Sequence, residues 1–80
     1  MLSVFARFRR DMTTRQLLAK NLRNLRHAAG MSQEELADKA DINRNYVGMI
    51  ERSENAASVD VLEQLAKALD VPVSDLLREI

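Results

Sequence analysis

Cysteine is absent from this sequence, so neither a disulfide nor a thiolate-bound metal holds the chain together. The absence fits a reducing compartment, and the chain is read as cytoplasmic. One proline and two glycines leave long stretches uninterrupted, which favours helices over a sandwich or barrel. Aromatic residues are 4% of the chain against 46% apolar, so leucine, alanine and valine must fill the interior. No apolar run approaches the ~20 residues that a bilayer span requires, which excludes a membrane helix. The opening MLSVFARFRR carries its arginines after its apolar patch, the reverse of a secretory signal. Nothing resembles a nucleophile–base pair, a metal ligand set or a phosphate-cradling loop, so the sequence predicts no enzyme, no cofactor and no metal. Eighty residues suffice for one domain with one modest core.

What is present is unevenly spread. The formal net charge is zero, yet residues 1–26 hold seven basic side chains against Asp11 alone. Residues 54–80 reverse this, with six acids against Lys67 and Arg78. Such polarity orients a small protein toward a polyanion, although a solvated helix face produces it equally well.

Apolar spacing and cap residues together predict five helices and an all-α fold. Thr13 and Gln16 fit a capping box, followed by Leu18, Leu22, Leu25 and Ala29 at helical spacing and Gly30 as a stop. Ser32 and Glu35 form a second box, opening a helix that buries Leu36, Ala37 and Ala40. Asn43 caps a third helix with Val47 and Ile50 inward, and Ser58 a fourth with Leu62, Leu65, Ala66 and Leu69. Val71-Pro72 interrupts the pattern, and Ser74 restarts a fifth helix with Leu76, Leu77 and Ile80. Residues 1–11 fit helix or strand equally well. The chain therefore divides into a basic extension, 1–12, and a domain, 13–80, whose C-terminal helix serves dimerisation.

The stretch SQEELADKADINRNYVGMIER, residues 32–52, folds two helices back on each other with only Asp41-Ile42-Asn43 between them. So tight a corner requires small residues where the backbones approach, and Ala37 and Ala40 provide them. It also requires a residue that tolerates a left-handed backbone, which Asp41 does less easily than glycine. The corner makes the second helix protrude, with Arg44, Asn45, Gly48, Met49 and Arg52 on its outer side. A protruding helix with donors near its start suits a DNA major groove about 12 Å wide. This is a helix-turn-helix arrangement.

Residues 18–77, through LRNLRHAAGMSQEELADKADINRNYVGMIER and SVDVLEQLAKALDVPVSDLL, resemble the lambda-repressor-like (Cro-type, XRE) helix-turn-helix family. The resemblance implies a compact five-helix domain that binds double-stranded operator DNA as a symmetric homodimer and regulates transcription as a repressor or controller. Matched position by position, it implies base contact for Arg44, Asn45 and Met49. It implies a phosphate contact for Gln33; Tyr46 and Arg52 are further candidates for the backbone. Arg26 and Glu51 match a family ion pair between the first and third helices. Two departures bear on loop geometry rather than fold: Asp41 stands where the family's turn glycine is common. Glu51-Arg52-Ser53 and Ala57-Ser58 replace the usual Glu-Arg-Gly and Pro-Ser.

Leu69, Val71, Val73, Leu76, Leu77 and Ile80 exceed what so small a core is expected to bury, which marks the C-terminal part as the dimer surface. His27 and the carboxylates Glu34, Glu35 and Asp38 read as surface and helix-start charges, not a metal site. The alternative function is an antitoxin-like or other protein-interaction subunit built on the same fold.

Overall fold

The computed structural model describes residues 12–79. Among them the order is α1 (Thr14–Ala28), α2 (Gln33–Ala40), α3 (Arg44–Glu51), α4 (Val59–Leu69) and a 3-10 turn (Val73–Leu76), with no strand. The alternatives for residues 1–11, the basic extension and the dimer role of Ile80 lie outside the described residues.

Each α-helix begins where its cap residue stands. In the Thr13 box, the Gln16 amide donates to Thr13 Oγ1 at 3.2 Å and the Thr13 amide to Gln16 Oε1 at 2.8 Å. Ser32 and Glu35 repeat the arrangement at 3.0 and 2.8 Å. Asn43 Oδ1 accepts from the Asn45 amide at 2.7 Å, and Ser58 Oγ from the Val61 amide at 3.1 Å. Each such cap is worth ~1 kcal/mol of helix stability.

The four helices also end alike. In each, a residue with positive φ closes the last turn, and the amide after it reaches back to a carbonyl five residues earlier: Met31 to Arg26, Ile42 to Ala37, Glu54 to Met49 and Val71 to Ala66. This is the Schellman closure. Gly30 alone supplies the left-handed residue without a side chain; Asp41 (φ 59°), Ser53 (φ 61°) and Asp70 (φ 59°) adopt it against their preference.

The fifth helix is a correction. The chain after α4 makes a single 3-10 turn that starts at Val73, with Pro72 rather than a Ser74 side chain at its head. At and beyond its end, a side chain from α1 takes the chain's carbonyls. Buried Asn21 donates through Nδ2 to the Leu76 carbonyl at 2.9 Å and to the Arg78 carbonyl at 2.8 Å. Those oxygens are then satisfied without a further helical turn.

Leu22, Leu36, Val47, Ile50, Leu65 and Leu76 are fully buried and draw all five elements onto one core. Ala37 and Ala40 are buried where α2 meets α3 and α4, which permits the close approach the short corner demands. The notion of a large apolar surplus at the C-terminal part is also corrected. Leu69 and Leu76 belong to the core, and Val71 and Val73 are packed against it, because the 3-10 turn folds back onto α1 and α4. Of the six proposed dimer residues, only Leu77 is exposed among those described.

Candidate nucleic-acid interface

α3 is eight residues long and two-sided. Val47, Gly48, Ile50 and Glu51 are buried; Arg44 and Asn45 are exposed at its first turn, with Met49 and Tyr46 half-buried beside them. The Asn43 cap fixes where the helix starts, and therefore where Arg44 and Asn45 emerge. α2 and α3 pack closely, bringing the start of α2 next to the start of α3. Between them lies an open cleft lined by Ser32, Gln33, Glu34, Arg44, Asn45, Gly48 and Arg52, with Arg26 at its base.

That base is a network of charges shut away from water. Arg26 and Glu51 are both buried and form a two-pronged pair, Nε to Oε2 at 2.7 Å and Nη2 to Oε1 at 3.0 Å. Gln33 Nε2 donates to Glu51 Oε1 at 2.9 Å. Arg26 Nη1 donates to the Met31 carbonyl at 2.9 Å, and Arg23 Nη1 to the Glu51 carbonyl at 2.8 Å. Burial alone would push the Glu51 carboxyl up. The hydrogen bonds from Arg26 and Gln33, helped by the charges of Arg26 and Arg23, outweigh that and hold it below the ordinary carboxylate range. The hydrogen bond to Glu51 likewise raises the Arg26 guanidinium, so both partners stay charged. Among the described residues, no buried side-chain nitrogen or oxygen lacks a hydrogen-bond partner. The network joins α1, the start of α2 and the end of α3, so it fixes the pitch of α3 on the domain.

Outside, the charges pair more loosely. Arg44 Nη1 stands 3.5 Å from Glu34 Oε1, with both side chains about two-thirds exposed. Arg52 forms a fork with Glu54 at 2.9 and 3.2 Å, again exposed. The Tyr46 hydroxyl donates to the Ala56 carbonyl at 3.3 Å, tying α3 to the loop before α4.

A family model described as helix-turn-helix matches residues 22–76, from the middle of α1 to the end of the 3-10 turn. The chain belongs to the helix-turn-helix family. It is similar to the control protein C.SmaI of Serratia marcescens, 39% identical over 66 residues that cover 82% of this chain and 79% of the relative. The control protein C.BamHI of Bacillus amyloliquefaciens is 41% identical over 64 residues, 79% of each chain. Among solved structures, the restriction-modification controller protein C.AhdI from Aeromonas hydrophila superposes with a TM-score of 0.73 at 40% identity, covering 75% of this chain and 91% of that one. The chain is also similar to the HTH-type transcriptional regulator SinR of Bacillus subtilis, 34% identical over 64 residues that cover 79% of this chain and 58% of the relative. Together these matches support a DNA-binding regulator. No helix among the described residues is long and apolar enough to cross a membrane.

Within this helix-turn-helix unit the structure brings Gln33, Arg44, Asn45 and Arg52 to one cleft, whereas half-buried Met49 and Tyr46 are not among its lining residues. Gln33 spends its side-chain donor on Glu51, leaving the start of α2 to face outward. Gly48 lines the cleft beneath the Arg52 side chain. Arg23 was missed by the sequence reading; its place three residues before Arg26, on one side of a helix, was the available signal.

Proposed function

We propose that this chain is a sequence-specific double-stranded DNA-binding regulator of the restriction-modification controller type, acting as a homodimer on a palindromic operator. One observation carries the reading. α3 presents Arg44 and Asn45 to solvent from a helix whose inner end is fixed by the buried Arg26–Glu51 pair. A base-reading side chain needs such a rigid platform, since the major groove rewards position as well as chemistry. Arg44 donates twice to guanine and Asn45 pairs with adenine, each good pair discriminating by ~1–3 kcal/mol. Met49 adds apolar contact with a thymine methyl. Gln33 through the start of α2, Tyr46 and Arg52 hold the phosphate backbone.

A single short helix covers too few base pairs for useful selectivity, so two copies must act together, their α3 helices roughly 34 Å apart. Exposed Leu77, with half-buried Val71 and Val73 beside it, supplies the contact surface. Residues 13–80 are the binding unit, and the basic extension 1–12 follows the duplex. The protein works in the cytoplasm. Selection of bound sites from a random DNA pool tests the whole reading at once. A palindrome should emerge with two half-sites about one helical turn apart. If no sequence is bound better than random DNA at physiological salt, the protein-interaction reading takes its place.

A further inference from the structure

Arg52 caps α3, and its exposed side chain runs back along the helix. The glycine at 48 makes that path available. A Cβ placed there would stand 3.0 Å from Arg52 Nη1 and 3.6 Å from Gln33 Oε1. The guanidinium thus lies over bare backbone at the rim of the cleft that Arg44 and Asn45 also line. Its outer edge is filled: Nε donates to Glu54 Oε2 at 2.9 Å and Nη2 to Glu54 Oε1 at 3.2 Å. Glu54 reaches this place through the left-handed Ser53, which turns the chain so that the Glu54 amide bonds the Met49 carbonyl at 2.9 Å.

Two parallel N–H···O bonds to one anionic group are also how an arginine takes a phosphate. The Glu54 carboxylate therefore fills the same fork that a phosphodiester requires. Both side chains are more than half exposed, so the pair opens readily and does not lock the arginine. The Glu34–Arg44 contact, single and 3.5 Å long, does not imitate a phosphate in this way.

We propose that Glu54 is a built-in competitor for DNA phosphate, occupying the Arg52 fork in the free protein and leaving it when a duplex binds. This rests on the DNA-binding reading above and adds a residue that sets how strongly, and with what salt dependence, any duplex is gripped. Phosphates occur in every sequence, so Glu54 acts on operator and random DNA alike. Its negative charge also offsets one cation at the interface, reducing the net counterion release that drives association.

The test is fluorescence-anisotropy titration of labelled duplexes, the selected operator and a random sequence, over a range of salt concentrations. Glu54→Gln keeps the shape and removes the charge. It should tighten both duplexes by roughly three- to fivefold per protomer, the upper part of what an exposed ion pair is worth. The salt slope should steepen by up to about one unit per protomer. In an Arg52→Ala background the same change should gain almost nothing. Unchanged or weaker binding by Glu54→Gln overturns the proposal, as does an equal gain with and without Arg52. A wild-type protein that binds neither duplex overturns both readings, whereas binding without the gain overturns only this one.

Discussion

The inner and outer sides of α3 carry the same chemistry, arginine against glutamate, in opposite surroundings. Inside, Arg26 and Glu51 pair at 2.7 Å with side chains only 10% and 3% exposed. Outside, Arg44 and Glu34 approach to 3.5 Å at 66% and 64% exposure. Water decides what each pair does. The inner pair cannot be broken without stranding a charge in a dry site, so it holds geometry, whether or not it adds net stability over an apolar replacement. The outer pair gives up little on opening, so its arginine stays available to a partner. Rigidity and readiness thus sit on opposite faces of one short helix.

The comparison breaks most visibly at Arg26. Arg26→Met leaves Glu51 with Gln33 and Arg23 but no salt bridge, and should cost ~3–5 kcal/mol in urea unfolding. A loss no larger than for an exposed pair would mean that the inner network does not hold α3.

Acid probes the same contrast. Because the folded-state pKa of Glu51 lies below its unfolded value, its contribution is present above the unfolded value of about 4.3. That contribution is lost as pH falls from there through the folded value. Stability of the wild type should therefore drop on acidification below about pH 4 more steeply than that of Glu51→Gln. Equal slopes would show that Glu51 titrates like any surface carboxyl.

Arg44→Ala should leave unfolding within ~0.5 kcal/mol of wild type, as expected of an exposed side chain. It should erase ~1–3 kcal/mol of discrimination at one base position. Equal loss on operator and random DNA would remove Arg44 from base readout. The smallest effect belongs to the joint between the two sides. Ser53 holds a left-handed backbone between buried Glu51 and exposed Glu54, and Ser53→Gly should stabilise the fold by ~0.5–1 kcal/mol. A destabilisation on thermal unfolding would show that the serine side chain serves that turn.

Much of this was legible because the signals are local. Thr13, Ser32, Asn43 and Ser58 announce helix starts through side chains that reach only two or three residues ahead. Asp41 could be placed at the left-handed corner from the shortness of the link alone. Ser53 and Asp70 were not placed there, since their conformation follows from the packing of the helices they end. The fifth helix was misjudged for a related reason. Leu76, Leu77 and Ile80 have helical spacing, but Asn21, 55 residues before Leu76, takes the carbonyl that would begin a second turn. The same fold-back buries Leu69 and Leu76, two of the six residues assigned to the dimer surface.

The sequence by itself determined where helices begin, which faces are apolar and which side chains stand at the start of α3. Those follow from periodicity and from hydrogen bonds within a few residues. Only the tertiary structure decided that Gln33 and Arg23 close the network around Glu51, which glutamate sits on the Arg52 fork, and how little apolar surface the C-terminal turn leaves bare. The network around Glu51 and the burial of the C-terminal turn depend on groups far apart in sequence, and the Arg52 fork depends on how the end of α3 turns at Ser53. No local pattern records them.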